Sequence, residues 1–401
     1  MSISKFPLAA AACALAALLT ASAAQACPGT ALAPESLTGF ESARKGYSND
    51  HFVPGGTGMS IDSSGRTGAA SLRIAAAGAP ANAWHLWQTQ RPRTGSARVA
   101  VRLASLPTSD VTQLLALDTA YHAPRSAARV GYDAATGRLK LTLQSASGNT
   151  TTVAASQVAV AGAWHVIELA YDVSGATHAA QWRIDGVEQD AASVAAAGAE
   201  YLYRVELGTN TSDRFVANYD DVILTTSAGD YPLGDGRVNM LKPNGMGKSA
   251  GASNLRDDDG TAVDATSWTR LDEIPMISTT DFIQQTKASS SSYAEIAFED
   301  TAATCIRAVR AYYTTHSAAT NNASHAKLSV FDGSREMVVY NGDWAANVAV
   351  SRDYSNSLTP AGSWSQSAVN GLVARFGYSV DVKPVPILDG VLLEYEVVSA
   401  E

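Results

Sequence analysis

The chain has 401 residues, of which 46% are hydrophobic and 17% charged, and its formal net charge at pH 7 is −9. Such an acidic surface repels the phosphates of nucleic acids and of anionic lipids, and no basic run compensates for it, so we expect no nucleic-acid partner. The length exceeds that of a usual single domain, and two domains are expected.

Residues 1–26 predict a secretory signal peptide. They carry one cation, Lys5, then a run rich in Leu and Ala, and they end in Ala24-Gln25-Ala26. The apolar run is too short for a membrane anchor, and no other transmembrane segment is predicted. We therefore expect a bacterial protein that is secreted, either extracellular or periplasmic.

Two cysteines, Cys27 and Cys305, remain once this leader is removed. Cys27 would then be the first residue and a site for lipid attachment, as in bacterial lipoproteins. An oxidising compartment also permits the two thiols to pair, or one of them to stay free. The sequence leaves these alternatives open.

Short alternating runs in the first half of the mature chain indicate strands. Hydrophobic and polar residues alternate over residues 98–103 and 139–144, the pattern of a strand that buries one face. Residues 162–186 contain two such runs around a small polar turn and end in Asp185-Gly186, which predicts a β-hairpin. One face of its first run is expected to reach the core: His165, Ile167, Leu169 and Tyr171.

The sequence of this hairpin is W-H-x-I-E-L-x-Y-D followed by W-R-I-D-G-V. It resembles the central hairpin of laminin-G-like and concanavalin A-like sandwiches. The resemblance implies an antiparallel β-sandwich over residues 32–228, with residues 216–225 as its last strand. Such scaffolds serve lectins, hydrolases and purely structural proteins, so the resemblance implies a fold and leaves the activity open.

A turn-rich joint at residues 227–235 precedes a second set of strand-like runs. They predict a second β-sandwich domain over residues 235–399, in which residues 244–267 form a polar surface loop or arm outside the core. The fold class is therefore all-β, with two antiparallel β-sandwich (jelly-roll) domains in tandem after a cleaved signal peptide. The strongest runs of the second domain are residues 293–298, 305–314, 327–331, 336–340 and 391–398.

The order of segments across both domains resembles that of two-domain tail-associated proteins of phages and prophages. The segments are Y-D-D-V-I-L, P-L-G-D-G-R-V-N-M-L-K-P-N-G, S-W-T-R-L-D-E-I-P and W-S-Q-S-A-V-N-G-L-V-A-R-F-G-Y. This resemblance implies a structural or adhesive assembly protein, with a homo-oligomer as one form of it. Virion proteins need no secretory leader, so the leader favours an exported relative of the same architecture.

The segment Thr38-Gly39-Phe40-Glu41-Ser42 resembles the G-F-E-S first strand of several glycan-binding jelly rolls. In those proteins the Glu and an Asp of the last strand share a calcium ion. The resemblance therefore implies a structural Ca²⁺ in the first domain, held by Glu41 with Asp220 and Asp221, because first and last strands are commonly adjacent in such sandwiches.

The sequence predicts no catalytic residue. It contains no nucleophile elbow, no zinc-binding helix and no phosphate-binding glycine loop. Glu295 and Glu299 resemble the acidic strand of laminarinase-type hydrolases, but Ala297 replaces the central Asp. A β-glycan hydrolase is therefore only a remote alternative.

Carbohydrate binding is the function that such a scaffold most readily supports. Sugars stack their CH faces on exposed aromatic rings and pair their hydroxyls with short polar side chains. We predict a non-enzymatic recognition protein whose partner is a polysaccharide or a cell-surface glycan. The candidate rings are Trp84, Trp87, Tyr121 and Trp344.

Overall fold

The computed structural model describes residues 31–32, 34–41, 52–87, 91–120, 125–274, 281–317, 324–344, 352–379 and 385–398. The predicted leader, Cys27 and Tyr121 lie outside these residues. Within the described part, no helix is both long enough and apolar enough to cross a membrane.

Two antiparallel sheets, A and B, contain the described strands between residues 36 and 225. Sheet A runs β13-β12-β11-β6-β16-β4-β3, with β1 beside β16 and β14 beside β12. Its strands are β1 (Ser36–Thr38), β3 (Met59–Asp62), β4 (Ser71–Ala77), β6 (Thr94–Leu103), β11 (Trp164–Asp172), β12 (Thr177–Ile184), β13 (Val187–Glu188), β14 (Ala192–Ala195) and β16 (Arg214–Thr225).

Sheet B runs β10-β9-β8-β7-β15-β5-β2 and packs face to face with sheet A. One hydrophobic cluster fills the space between them, with Leu169 and Trp182 from sheet A and Leu115 and Leu141 from sheet B. The strands of sheet B are β2 (Val53–Gly56), β5 (Ala81–Leu86), β7 (Val111–Asp118), β8 (Ala127–Asp133), β9 (Arg138–Gln144), β10 (Thr150–Val158) and β15 (Arg204–Thr209).

Two further antiparallel sheets, C and D, enclose a second core between residues 236 and 398. Sheet C runs β19-β20-β27-β22-β25, with β17 beside β27, and sheet D runs β18-β21-β26-β23-β24. The strands are β17 (Gly236–Leu241), β18 (Pro243–Met246), β19 (Leu255–Asp257), β20 (Ile283–Gln285), β21 (Tyr293–Phe298), β22 (Ile306–Ser317), β23 (Ser324–Phe331), β24 (Glu336–Trp344), β25 (Arg352–Leu358), β26 (Val373–Gly377) and β27 (Pro386–Val398).

Regular helix is confined to short pieces in the described residues, and the all-β prediction with tandem sandwiches is confirmed. One α-helix, α1 (Gln366–Asn370), begins at Ser365, whose hydroxyl accepts a hydrogen bond from the Ala368 N–H. The 3₁₀ turns are Ala228–Asp230, Ala252–Asn254 and Ser267–Arg270.

The predicted hairpin is present as β11 and β12, which pair antiparallel with Leu169 opposite Trp182. Asp185 and Gly186 follow, with φ of 50° and 76°, which are the two left-handed residues of a tight turn into β13. The expected core position of His165 is not observed. Its Nδ1 lies 2.8 Å from Asp185 Oδ2 at the surface end of the strand.

The polar composition of residues 244–267 predicts a loop outside the core, and this prediction is wrong. The segment contains β18 and β19, which pair with β21 and β20. Leu255 is 0% exposed and Val263 7% exposed, and both belong to the second core. Two well-placed apolar side chains anchor the segment, although its average composition is polar.

The joint between the two sandwiches covers the outer face of β11. The backbone N–H groups of Leu233 and Gly234 donate hydrogen bonds to Glu168 Oε2, at 2.5 and 2.9 Å. Glu168 is therefore buried, although strand alternation places it on the face opposite the core.

Cys305, beside β22, is buried and disulfide-bonded, and its partner lies outside the described residues.

Candidate functional site

A cleft of about 930 Å³ opens on the outer face of sheet B. It lies across β5, β15, β7, β8 and β9, which are neighbours in that order in the sheet. Polar and charged side chains dominate its lining, together with one tryptophan. The lining includes Trp84, Arg125, Arg129, Gln144, Arg204 and Glu206.

Strand alternation presents these side chains to the cleft. On β15, Val205 and Leu207 belong to the core, so the alternate residues Arg204 and Glu206 face outward. Trp84 on β5 lies directly opposite Glu206 in the register of the two strands. The cleft therefore lies on the face of sheet B that does not pack against sheet A, and Arg204 and Glu206 form part of its buried floor.

Three arginines surround one carboxylate at the floor of the cleft. Asp118, the last residue of β7, is 0% exposed. Arg125 Nε lies 3.3 Å and Arg129 Nη2 lies 3.8 Å from Asp118 Oδ1. Arg204 Nε lies 3.4 Å from Asp118 Oδ2. Burial and the nearby Glu206 carboxylate raise the pKa of Asp118 to about 6, against the opposing effect of the three guanidinium groups.

Glu206, the second acid of the cleft, is held by several donors. Its carboxylate accepts hydrogen bonds from the side-chain amides of Asn82 at 3.3 Å, Gln113 at 2.8 Å and Asn210 at 3.1 Å. It also forms an ion pair with Arg204. These contacts fix the carboxylate as a hydrogen-bond acceptor on β15 and orient the Arg204 guanidinium beside it.

A glycine keeps the space beside Trp84 open. Gly55 lies on β2, and a Cβ at this position would collide with the Asn82 side chain and lie 3.2 Å from Trp84 Nε1. A side chain here would displace the ring or the amide. The Trp84 ring is half-buried, so it retains a face toward the cleft.

Of the candidate rings from the sequence, one lines the cleft and one is buried in the core. Trp84 lines the cleft, whereas Trp87 is 3% exposed and belongs to the core between sheets A and B. Its ring lacks the exposed face that stacking on a sugar requires. Trp344 is the last residue of β24 in sheet D. Tyr121 lies outside the described residues.

The three predicted metal ligands do converge on one loop, residues 66–70. Glu41 accepts hydrogen bonds from the Ala69 and Ala70 N–H groups, at 3.0 and 3.3 Å. Asp220 Oδ2 accepts from the N–H groups of Arg66 at 2.6 Å and Thr67 at 3.1 Å. First and last strands are adjacent, since β1 pairs with β16.

The oxygens of this cluster are directed at donors. Asp221 Oδ2 lies 2.9 Å from Arg66 Nη1, and Asp221 Oδ1 accepts a hydrogen bond from the Val238 N–H at 2.7 Å. Among the described residues no three His, Cys, Asp or Glu side chains are arranged to hold a metal ion. Calcium takes six to eight oxygen ligands, and this arrangement does not supply them. The calcium site therefore stays a prediction. Binding of the ion by Asp221 would require its ion pair with Arg66 to break.

The carboxylates of Glu41, Asp220 and Asp221 are buried, and those of Glu41 and Asp220 are repelled by that of Asp221. Burial, followed by the neighbouring Asp221 carboxylate, raises the pKa of Asp220 to about 8. Burial also raises the pKa of Glu41, against the hydrogen bonds from Ala69 and Ala70. The cost of ionising these groups explains why so many N–H donors are directed at them.

Glu295 is held by basic and backbone groups in the second sandwich. Its Oε2 lies 2.6 Å from Arg375 Nε, and its Oε1 accepts a hydrogen bond from the Lys248 N–H at 3.0 Å. Glu299 follows β21, and its Oε2 accepts from the Lys242 N–H at 3.3 Å. Both carboxylates therefore accept hydrogen bonds from groups of the second sandwich itself.

The arginines of the cleft do not stand out in the sequence. Arg129 and Arg204 lie 75 residues apart in the chain, and each occupies an ordinary polar position on an alternating strand. Their proximity depends on β7, which pairs with both β8 and β15. Only the order of strands in the sheet reveals the cluster.

No protein-family model matches this sequence, and no similar curated protein is found. Among solved structures, the cellulose-induced protein Cip1 aligns with a TM-score of 0.37 and 14% identity, over 48% of this chain and 97% of that one. The globular domain of T. cruzi calreticulin aligns with a TM-score of 0.34 and 9% identity, over 49% of this chain and 89% of that one. The receptor-binding domain of botulinum neurotoxin type G aligns with a TM-score of 0.34 and 10% identity, over 70% of this chain and 75% of that one. What the cleft binds is inferred from its own residues.

Proposed function

We propose that this protein is a secreted recognition protein that binds a carbohydrate chain in the cleft on sheet B without cleaving it. The observation that carries the proposal is the lining of the cleft, which combines one tryptophan with amide and charged side chains in about 930 Å³. A sugar needs this combination, because its ring has apolar CH faces and a rim of hydroxyl groups.

The proposal gives roles to individual side chains, which the geometry of the cleft supports. Trp84 provides the flat face on which a sugar ring stacks, and it lies opposite Glu206 across two paired strands. Arg129 Nη1 donates to Gln144 Oε1 at 2.8 Å, which orients both groups on neighbouring strands. Neighbouring strands are about 4.8 Å apart, so the five strands of the cleft present donors and acceptors over roughly 19 Å.

Binding of a panel of soluble polysaccharides, measured by affinity electrophoresis and calorimetry, tests the proposal. We expect at least one polysaccharide to bind, and the Trp84→Ala variant to bind it about tenfold more weakly, a loss of about 1.4 kcal/mol. Trp268→Ala is the matched control, because Trp268 is also half-buried but lies in the second sandwich. Its affinity should equal that of the wild type. Failure of every polysaccharide to bind would contradict the proposal.

Two further readouts separate the alternatives. Reducing ends assayed after prolonged incubation should not increase, and release that Glu295→Gln abolishes would instead establish a hydrolase. Sedimentation over a range of protein concentrations tests assembly. Concentration-dependent association without binding of any glycan would favour the structural or adhesive role.

A further inference from the structure

A second cavity, of about 570 Å³, lies at the joint between the two sandwiches. Trp164, Glu168 and Arg183 line it from the outer face of sheet A, whereas Gly234 and Arg237 line it from the joint and from β17. Both sandwiches are therefore needed to form this joint cavity. Its volume falls within the range of about 300–1,000 Å³ that is usual for small-molecule sites.

Strand alternation directs Trp164 and Arg183 away from the core of the first sandwich. On β11, Ile167 and Leu169 belong to that core, so Trp164 lies on the other face of the strand. On β12, Trp182 belongs to the core, and the next residue, Arg183, faces outward. The cleft described above lies on the outer face of sheet B. The cleft and the joint cavity therefore open on opposite faces of the first sandwich.

Two arginines of the joint cavity have no acidic partner among the described residues. Arg183 forms no hydrogen bond or ion pair with any of them, and its Nε is buried without an acceptor. Glu168 lies opposite Arg183 in the register of β11 and β12, but its carboxylate accepts from the N–H groups of the joint instead. Arg237 Nη1 donates only to the Arg66 carbonyl oxygen, at 3.3 Å. Both guanidinium groups are half-buried and keep N–H donors for a ligand.

Two carboxylates offer acceptors beside these donors. The side chains of Asp185 and Asp235, which also line the cavity, are 36% and 54% exposed. Asp185 Oδ1 accepts from the Val166 N–H at 2.7 Å, and Asp235 forms an ion pair with Arg66. A carboxylate has about four lone-pair sites. Both groups therefore retain sites for the hydroxyls of a ligand.

The charges that line the joint cavity balance. Three arginines and three acids contribute to the lining: Arg66, Arg183, Arg237, Glu168, Asp185 and Asp235. An ionic ligand gains no advantage from such a lining, whereas sugar hydroxyls, which both donate and accept, match separated donors and acceptors. Trp164 adds a half-buried ring for the CH face of a sugar, and the Arg102 guanidinium, 5.0 Å from the ring centroid, helps to fix it.

We propose that the joint cavity is a second carbohydrate-binding site, selective for a neutral sugar and formed by the two sandwiches together. The inference rests on the proposed function, from which it takes the class of ligand. Because the cleft and the joint cavity open on opposite faces, one chain then binds two glycan segments at once. Such a bivalent protein cross-links polysaccharide chains and gains avidity on a surface that presents many of them.

Calorimetric titration with neutral hexasaccharides counts the sites. The probes are laminarihexaose, cellohexaose, mannohexaose and xylohexaose. We expect at least one of them to occupy two sites per chain of the wild type. Trp84→Ala should weaken the site in the cleft and leave the affinity of the other site unchanged, so this variant isolates the joint cavity. In this variant, hexagalacturonate should bind no more tightly than its carboxyl-reduced form.

Arg183→Gln is the variant that tests the joint cavity. It should weaken one of the two sites about tenfold, through the loss of hydrogen bonds to the sugar. Its melting temperature should equal that of the wild type, because Arg183 has no hydrogen-bond or ion-pair partner in the described part of the chain.

Arg73→Gln is the matched control. Arg73 lies on β4 between the core residues Leu72 and Ile74, so it shares the outer face of sheet A with Arg183. Its strand is four strands from β12 in the order of the sheet, roughly 19 Å away. The substitution removes the same charge, and both sites should keep their wild-type affinities.

The outcomes separate this inference from the proposed function. A single site per chain, lost in Trp84→Ala and intact in Arg183→Gln, would overturn the inference and leave the proposed function standing. A single site lost in Arg183→Gln and intact in Trp84→Ala would support the joint cavity and contradict the cleft. Tighter binding of hexagalacturonate than of its reduced form in the Trp84→Ala variant would overturn the selectivity for a neutral sugar. If no carbohydrate binds, both proposals fail together.

Discussion

Glu394 on β27 makes folding depend on pH in the opposite sense to a usual surface acid. Burial, followed by the nearby Glu41 carboxylate, raises its pKa to about 8. Below pH ~4.5 the folded and unfolded states both carry the proton, so there is no penalty. Between pH ~4.5 and 8 the folded state keeps a proton that the unfolded state releases, and stability decreases as the pH rises.

Glu394→Gln should remove this decrease, because glutamine does not ionise. The free energy of unfolding of the wild type relative to the variant should fall by up to about 1.4 kcal/mol per pH unit between pH 5 and 8. Urea denaturation at pH 5, 6.5 and 8 measures it. Glu336→Gln is the control, because ion pairing lowers the pKa of Glu336. A stability difference that is constant across pH would show that Glu394 does not titrate in this way.

If calcium binds at Glu41, Asp220 and Asp221 as the sequence predicts, the melting temperature should depend on calcium. An ion that binds only the folded state stabilises it by about 2.7 kcal/mol at a hundred times its dissociation constant. Melting in 1 mM calcium and in EDTA should then differ by several degrees, and Asp220→Asn should abolish the difference. Equal melting temperatures would leave these carboxylates as acceptors for the N–H groups of residues 66–70 alone.

Among the elements, strands with clear alternation could be predicted and the cleft could not. The runs at residues 139–144 and 293–298 match β9 (Arg138–Gln144) and β21 (Tyr293–Phe298), because one buried face leaves a period of two in the sequence. The polar positions of β8 and β15 show the same period whether they meet water or a ligand. Which polar side chains become neighbours depends on strand order, and this is fixed by pairing between residues distant in the chain.

β15 carries the cleft and depends on a glycine near its end. Gly208 has a φ of +86°, and a Cβ there would collide with the Ala81 carbonyl oxygen and lie 2.9 Å from Ile74 Cδ1. Its own carbonyl accepts a hydrogen bond from Gln113 Nε2 at 3.1 Å. The backbone at Gly208 therefore packs closely against β5 and also binds the Gln113 amide, which donates to Glu206.

Gly208→Ala should destabilise the fold by about 2–4 kcal/mol, through strain at positive φ together with the collision. Gly148→Ala is the control, because Gly148 has a φ of +91° and a Cβ added there would meet no atom within 4 Å. It should cost only about 1 kcal/mol, which is the contribution of the backbone conformation. Urea denaturation compares the two. Equal losses would mean that the contact with β5 adds nothing.

The two sandwiches share buried contacts. Glu396 of β27 forms ion pairs with Arg98 of β6 and with Arg307 of β22, and all three side chains are buried. The Leu32 N–H donates to the Arg307 carbonyl at 2.8 Å. An apolar cluster lies beside these polar contacts and draws on both sandwiches: Leu32, Leu37, Ile223, Leu233, Val238 and Ala308. The joint is therefore packed like a core, and the two sandwiches are expected to unfold together.

Glu396→Ala should cost about 3–5 kcal/mol, because it leaves two buried guanidinium groups without their shared acceptor. Calorimetry should then show two thermal transitions in place of one, as the sandwiches lose their coupling. Glu188→Ala, an exposed acid on β13, should keep the single transition. Replacing Arg98 and Arg307 by Met together with Glu396→Leu should restore both stability and cooperativity, because a well-packed apolar group can replace a buried ion pair. If Glu396→Ala unfolds in one transition at the wild-type temperature, the ion pairs do not couple the two sandwiches.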